Sequence, residues 1–137
     1  MKSKGKAATK TAKRKTLAQQ GPLSRASLRV RIVFPDERQL GPGKADLLEA
    51  IERTGSISSA ARDLGMSYRR AWLLVDETSK LFKRPVLTTA AGGMHGGGAA
   101  LTDFGRALIA AFRRIEDRAA EAARAELVAF ESDLADV

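Results

Sequence analysis

The sequence predicts a mainly α fold with a small β component: a three-helix core, a β-hairpin and a long C-terminal helix. Three observations predict it. Two short helical patterns, each with its own start signal, meet across one glycine in TGSISSAARDLGMSYRRAW, residues 54–72. A glycine-rich stretch farther on separates two short runs suited to strands. An apolar line stepping by four and three residues then runs through Leu108, Phe112, Ile115, Ala119 and Ala122.

Taken in chain order, residues 1–20 hold seven Lys or Arg and no acid, with almost no large apolar side chain. Such a segment cannot recover the entropy of ordering, so residues 1–22 are expected to form a disordered basic tail. Two roles fit it equally, a salt-sensitive arm on DNA or a solubilising tail. From Ser27 to Phe34 the residues SLRVRIVF alternate, with Leu28, Val30, Ile32 and Phe34 on one face and Arg29 and Arg31 on the other. That is the pattern of a half-buried strand. Pro35, Asp36 and Glu37 turn the chain toward a short return through Gln39 and Leu40. Gly41-Pro42-Gly43 precedes a helix over about residues 44–54, with Leu47, Leu48, Ala50 and Ile51 inward and Gly55 ending it.

Ser56 caps the next helix, whose small inner face is Ile57, Ala60, Ala61 and Leu64. Gly65 supplies a left-handed turn, and Ser67 caps a third helix expected to reach about Lys83 before Pro85. At about 100° per residue, Ala71, Val75, Thr78 and Phe82 line its inner face, while Arg69, Leu73, Asp76 and Lys80 point away. Trp72 lies between the faces, as a core edge or a base contact. Two helices joined this tightly fit either an ordinary αα corner or a helix-turn-helix, whose second helix offers its first turn to the major groove. Val86–Thr89 and Ala99–Leu101 then read as a hairpin around a loop with five glycines in the eight residues 92–99. That loop lacks the Gly-Lys-Ser/Thr ending of a phosphate loop and leads into an extended segment, so it reads as a hairpin tip. Thr102 caps the last helix, with Asp103 near its positive end. In this order the elements make a winged helix-turn-helix over residues 23–104, followed by a long helix over residues 102–137. That helix either pairs with a second copy or folds back on its own domain.

Composition narrows the chemistry. There is no cysteine, one histidine and no apolar run near the roughly 18 residues of a membrane span. Disulfides, thiolate metal sites, multi-histidine metal sites and membrane spans are therefore not expected, and a cytoplasmic protein is. The net charge of +8 suggests a polyanionic partner. It is unevenly spread: residues 53–84 hold seven bases against three acids, and residues 116–137 hold two against seven.

The run GSISSAARDLGMSYRRAW, followed by TTAAGGMHGGGAALTDFGRALI, closely resembles the N-terminal DNA-binding domain of the molybdate-responsive ModE regulators. Their winged helix is in turn similar to that of LysR-type regulators. The resemblance covers about Leu28 to Ile115 and implies double-stranded DNA as partner. Full-length members continue into molybdate-binding domains, whereas this sequence ends at Val137 after the long helix, so molybdate sensing is not expected from it. Where the family's wing often carries a basic residue near its tip, this sequence has Met94-His95.

The expected function is a transcriptional regulator that binds a palindromic operator as a homodimer. Ser56, Ser58, Ser67, Tyr68, Arg69, Arg70, Trp72, Lys83, Arg84 and His95 are the expected DNA contacts. Leu108, Phe112, Ile115, Ala119 and Ala122 are the expected dimer seam. Alternatives are an architectural protein without sequence preference and a DNA-binding subunit signalled by a separate molybdate-binding protein. No catalytic residue, cofactor or metal is expected, because no nucleophile stands with a base and an orienting group.

Overall fold

The computed structural model describes residues 26–90 and 98–136. The basic tail and the wing tip with His95 lie outside the described residues. Two compact units are present, residues 29–115 and a second whose described parts are residues 26–28 and 116–136. The element order is β1 (Ile32–Val33), β2 (Gln39–Leu40), α1 (Pro42–Thr54), α2 (Ile57–Asp63), α3 (Tyr68–Ser79), β3 (Leu87–Thr89), β4 (Ala99–Leu101) and α4 (Asp103–Glu131). This is a winged helix with a long C-terminal helix.

Within residues 29–115, α1 is the centre, and its sequence explains why. Leu47, Ala50 and Ile51 pack with Ala60 and Ala61 of α2 and Ala71 and Val75 of α3. Leu48 packs with Leu101 and Ile109, and Ala45 with Leu40 and Phe112. A helix contacted on three sides must be apolar around most of its circumference. The alanines of α2 and α3 are buried to 1% exposure or less, which lets those helices approach closely.

The alternation from Ala26 to Phe34 is present in the burial pattern, but only Ile32 and Val33 join a ladder. They pair antiparallel with Leu40 and Gln39. The strand is shorter than its periodicity because the partner segment supplies only two residues before Gly41 caps α1. Pro42 at the start of α1 brings that helix forward from the expected residue 44, its fixed φ suiting a first helical turn. The third helix stops at Ser79 instead of Lys83. Its end is closed by Arg38, whose guanidinium donates to the Lys80 carbonyl at 2.5 Å. Beyond it Phe82 is used in an aromatic stack, edge-on to Phe34 at 6.0 Å and to Phe104 at 5.4 Å. Tertiary packing thus overrides a helical pattern that ran as far as Pro85.

The wing strands pair antiparallel, Leu87 with Leu101 and Thr89 with Ala99. Their root is tied to the helical core: the Ala99 amide donates to the Gly55 carbonyl at 2.8 Å. The Thr102 amide donates to the Val86 carbonyl at 3.0 Å. Gly105 then passes so close to this segment that an added Cβ would lie 2.1 Å from the Val86 oxygen.

Two residues of the expected dimer seam lie where α4 meets the core. Phe112 is 1% exposed, buried with Leu40 and Ala45, and Leu108 packs on the same cluster. These two residues cover the protein's own core. An apolar line marks a covered face whatever covers it, so periodicity alone could not separate the two cases.

Candidate nucleic-acid interface

Local chemistry places the first turns of α2 and α3. Gly55 takes φ 82°, which lets the chain reverse between α1 and α2. The Ser56 hydroxyl accepts from the Ser59 amide at 2.9 Å and so starts α2. Gly65, at φ 69°, ends that helix, and the Met66 amide donates back to the Ala61 carbonyl at 2.9 Å. This bond pattern closes a helix C-terminus and turns the chain sharply into the next helix. The Ser67 hydroxyl accepts from the Arg70 amide at 3.0 Å and starts α3. Ion pairing of Arg53 on α1 with Asp63 on α2 further fixes the pair.

The cap on α3 sets what its first turn presents. Ala71, Val75 and Thr78 are buried, and the Thr78 hydroxyl is satisfied by the Leu74 carbonyl at 2.7 Å. The opposite side is open. Tyr68 is 55% exposed, Trp72 48% and Leu73 49%, with Arg69 and Arg70 exposed beside them. Trp72 is therefore well open to solvent at the margin of the core face.

The electrostatics are one-sided. Both acids of α3 are paired, Asp76 with Lys80 at 2.9 Å and Glu77 with Lys44 at 3.3 Å. Among the described residues, Arg69, Arg70 and Lys83 pair with no carboxylate. The first turn of α3 thus shows two uncompensated guanidinium groups to solvent. Two arginines of α4 are instead bonded to acids of the fold. Arg113 bonds to Asp46 at 2.6 Å and Glu49 at 2.8 Å. Arg106 bonds to Asp103 at 2.5 Å and Glu52 at 3.2 Å, and those two carboxylates hold its guanidinium above the ordinary value.

The remaining expected residues fall in different places. Ser58 is exposed on the first turn of α2, and Ser56 is half-buried as a cap. Lys83 and Arg84 are exposed on the turn after α3, with the Arg84 guanidinium 4.5 Å over the Phe104 ring. The length of α3 puts them roughly 18 Å along its axis from the Ser67 cap, so they do not join the cluster at the first turn. Leu73 was not among the expected contacts, although its outward position follows from the spacing to Arg69. Among the described residues, no group of three or more His, Cys, Asp or Glu is placed to hold a metal ion. No helix among them is long and apolar enough to cross a membrane.

No family model matches the chain. It is similar to the molybdenum-pterin-binding protein MopB of Rhodobacter capsulatus, 51% identical over 78 residues that make up 57% of this chain and 29% of that protein. It is 47% identical over 70 residues to the molybdenum transport protein ModE of Azotobacter vinelandii, covering 51% of this chain and 26% of that one. The DNA-binding transcriptional dual regulator ModE of Escherichia coli K12 is 43% identical over 68 residues, 50% of this chain and 26% of its own length. The chain therefore resembles molybdenum-related regulators over about half its length, and the matched region spans under a third of each of these relatives.

Proposed function

We propose that the chain is a ModE-like transcriptional regulator that binds duplex DNA with sequence preference. One observation carries this reading: the first turn of α3 is fixed by the Ser67 cap and a buried inner face, yet exposes Arg69 and Arg70 without acidic partners. In a helix-turn-helix this turn enters the major groove, where an arginine can bond a guanine edge at two points. Arg69 lies on the outward line of α3 and takes the base-reading role; Arg70, at the side, contacts phosphate. Ser58 and the Ser56 and Ser67 hydroxyls also contact the DNA backbone, with Tyr68 and Trp72 bordering the groove. Lys83 and Arg84 reach phosphates farther along, and His95 on the wing adds a further contact. The residues divide into a basic tail (1–22), the DNA-binding domain (23–104) and a C-terminal segment (102–137) that carries the long helix α4. The relatives' names further connect the regulated genes with molybdenum.

In the same reading, the protein acts as a homodimer on a palindromic operator. Ile115 and Phe130 are exposed on α4, and Ala119 and Ala122 fall on the same side at about 100° per residue. Two small residues between two large ones suit close approach of a second α4. Such pairing lets two copies read half-sites a helical turn or more apart.

The test is binding by the full protein to a duplex selected from a random pool. Arg69→Ala is expected to lose about 1–3 kcal/mol on the selected site and far less on random DNA. Arg70→Ala should lose affinity alike on both. Equal losses for Arg69→Ala on the two DNAs would remove its base-reading role, and a pool that yields no enriched site would defeat the regulator reading.

A further inference from the structure

The outward line of α3 runs through Arg69, Leu73, Asp76 and Lys80, and Leu73 is its one apolar member. A single exposed leucine needs no explanation on a protein surface. Here, however, Tyr68, Trp72 and Leu73 are each about half exposed, and they bracket Arg69 and Arg70 along α3. The core cluster takes Ala71, Val75 and Leu74 from α3, and Tyr68, Trp72 and Leu73 lie outside it. A surface both cationic and apolar fits a partner that is anionic with small apolar spots. The major groove has this chemistry: phosphates at its edges and, on its floor, the C5 methyl group of thymine.

We propose that Leu73 is a specificity-determining residue that packs on a thymine C5 methyl group in the major groove. The assignment rests on the DNA-binding reading above and adds a base preference to it. Leu73 stands four residues after Arg69, about 6 Å farther along the helix axis, so the thymine lies within about two base pairs of the base that Arg69 reads. Trp72, next to it, shields the contact from water. A leucine at this position discriminates by a methyl group alone, since it can neither donate nor accept a hydrogen bond.

The experiment uses the full chain and a site selected from random duplexes. Each thymine of that site is replaced in turn by deoxyuridine, which removes the methyl group and keeps every hydrogen-bonding edge. At one position per half-site, the exchange is expected to weaken binding about fourfold, the factor for burying one methyl-sized group. Leu73→Ala should bind the thymine and deoxyuridine forms of that position equally, and Leu73→Met should keep the discrimination. An unchanged thymine-to-deoxyuridine ratio in Leu73→Ala, or no thymine sensitivity in the unaltered protein, overturns the assignment while leaving the regulator reading intact. If Leu73→Ala changes sedimentation and not that ratio, the face is a protein contact and the assignment is again overturned. Failure to enrich any site defeats the sequence-specific regulator reading, and this one with it.

Discussion

Residues 103–115 and residues 116–131 belong to one continuous helix, α4, yet they live in different surroundings. In the first half Gly105, Ile109 and Phe112 are buried, and Arg106 and Arg113 are bonded to acids of α1. In the second half the described buried residues are Glu116 and Ala120, while Val128 and Phe130 stand exposed, Phe130 by 70%. Both halves carry large apolar residues at helical intervals. The first half uses Ile109 and Phe112 to close a core already crowded around α1, and the second presents Val128 and Phe130 to solvent. An apolar side chain therefore has to be weighed with what is near it in space.

Four substitutions can break or sharpen this contrast. The largest effect is expected for Gly105→Ala, whose Cβ would meet the Val86 backbone oxygen at 2.1 Å. Neither partner is a flexible side chain, so hairpin root and helix would have to separate, with a loss above about 4 kcal/mol. Urea denaturation of the full protein would show it; a loss under about 1 kcal/mol would mean that α4 is not held to the hairpin as described. Phe112→Ala comes next, at about 3 to 4 kcal/mol, because it opens a cavity between Leu40 and Ala45. If it leaves stability unchanged but splits a dimer, the residue belongs to the seam after all.

Arg113→Met keeps the apolar stem and removes the clasp on Asp46 and Glu49, and should cost about 2 kcal/mol. Its guanidinium is mostly buried, so the loss should persist in high salt; a loss that vanishes there would make the clasp a surface pair. The smallest change in stability belongs to Phe130→Ser, within about 0.5 kcal/mol. The same substitution should lower self-association in sedimentation at micromolar concentration. A monomer both before and after it would remove the dimer from the proposal.

Much of the helix-turn-helix was legible because its signals are local. Ser56, Ser67 and Thr102 each accept a backbone amide within three residues, and Gly55 and Gly65 adopt the left-handed conformation their positions called for. The inner face of α1 was legible for a similar reason, since Leu47, Leu48, Ala50 and Ile51 repeat at helical spacing. What could not be read was whatever depends on distant segments meeting. Gly105 looks like a weak helix residue until Val86 is brought against it. The early end of α3 depends on Arg38 and on Phe34 and Phe104, which are remote in sequence. At the candidate interface, the outward set on α3 followed from periodicity. That its arginines lack acidic partners did not, because Asp76 and Glu77 are neutralised by neighbours that only the fold supplies.

The bond from the Ala99 amide to the Gly55 carbonyl gives the molecule a built-in gauge. Its donor belongs to the hairpin and its acceptor to the corner between α1 and α2. Solvent deuterium can therefore reach that amide when either element opens. The exchange rate of this one proton will follow the less stable of the two. If Ala99 exchanges as slowly as the amides inside α1, hairpin and helical corner open as a single cooperative block. If it exchanges sooner, the hairpin lifts off while the helices stay folded.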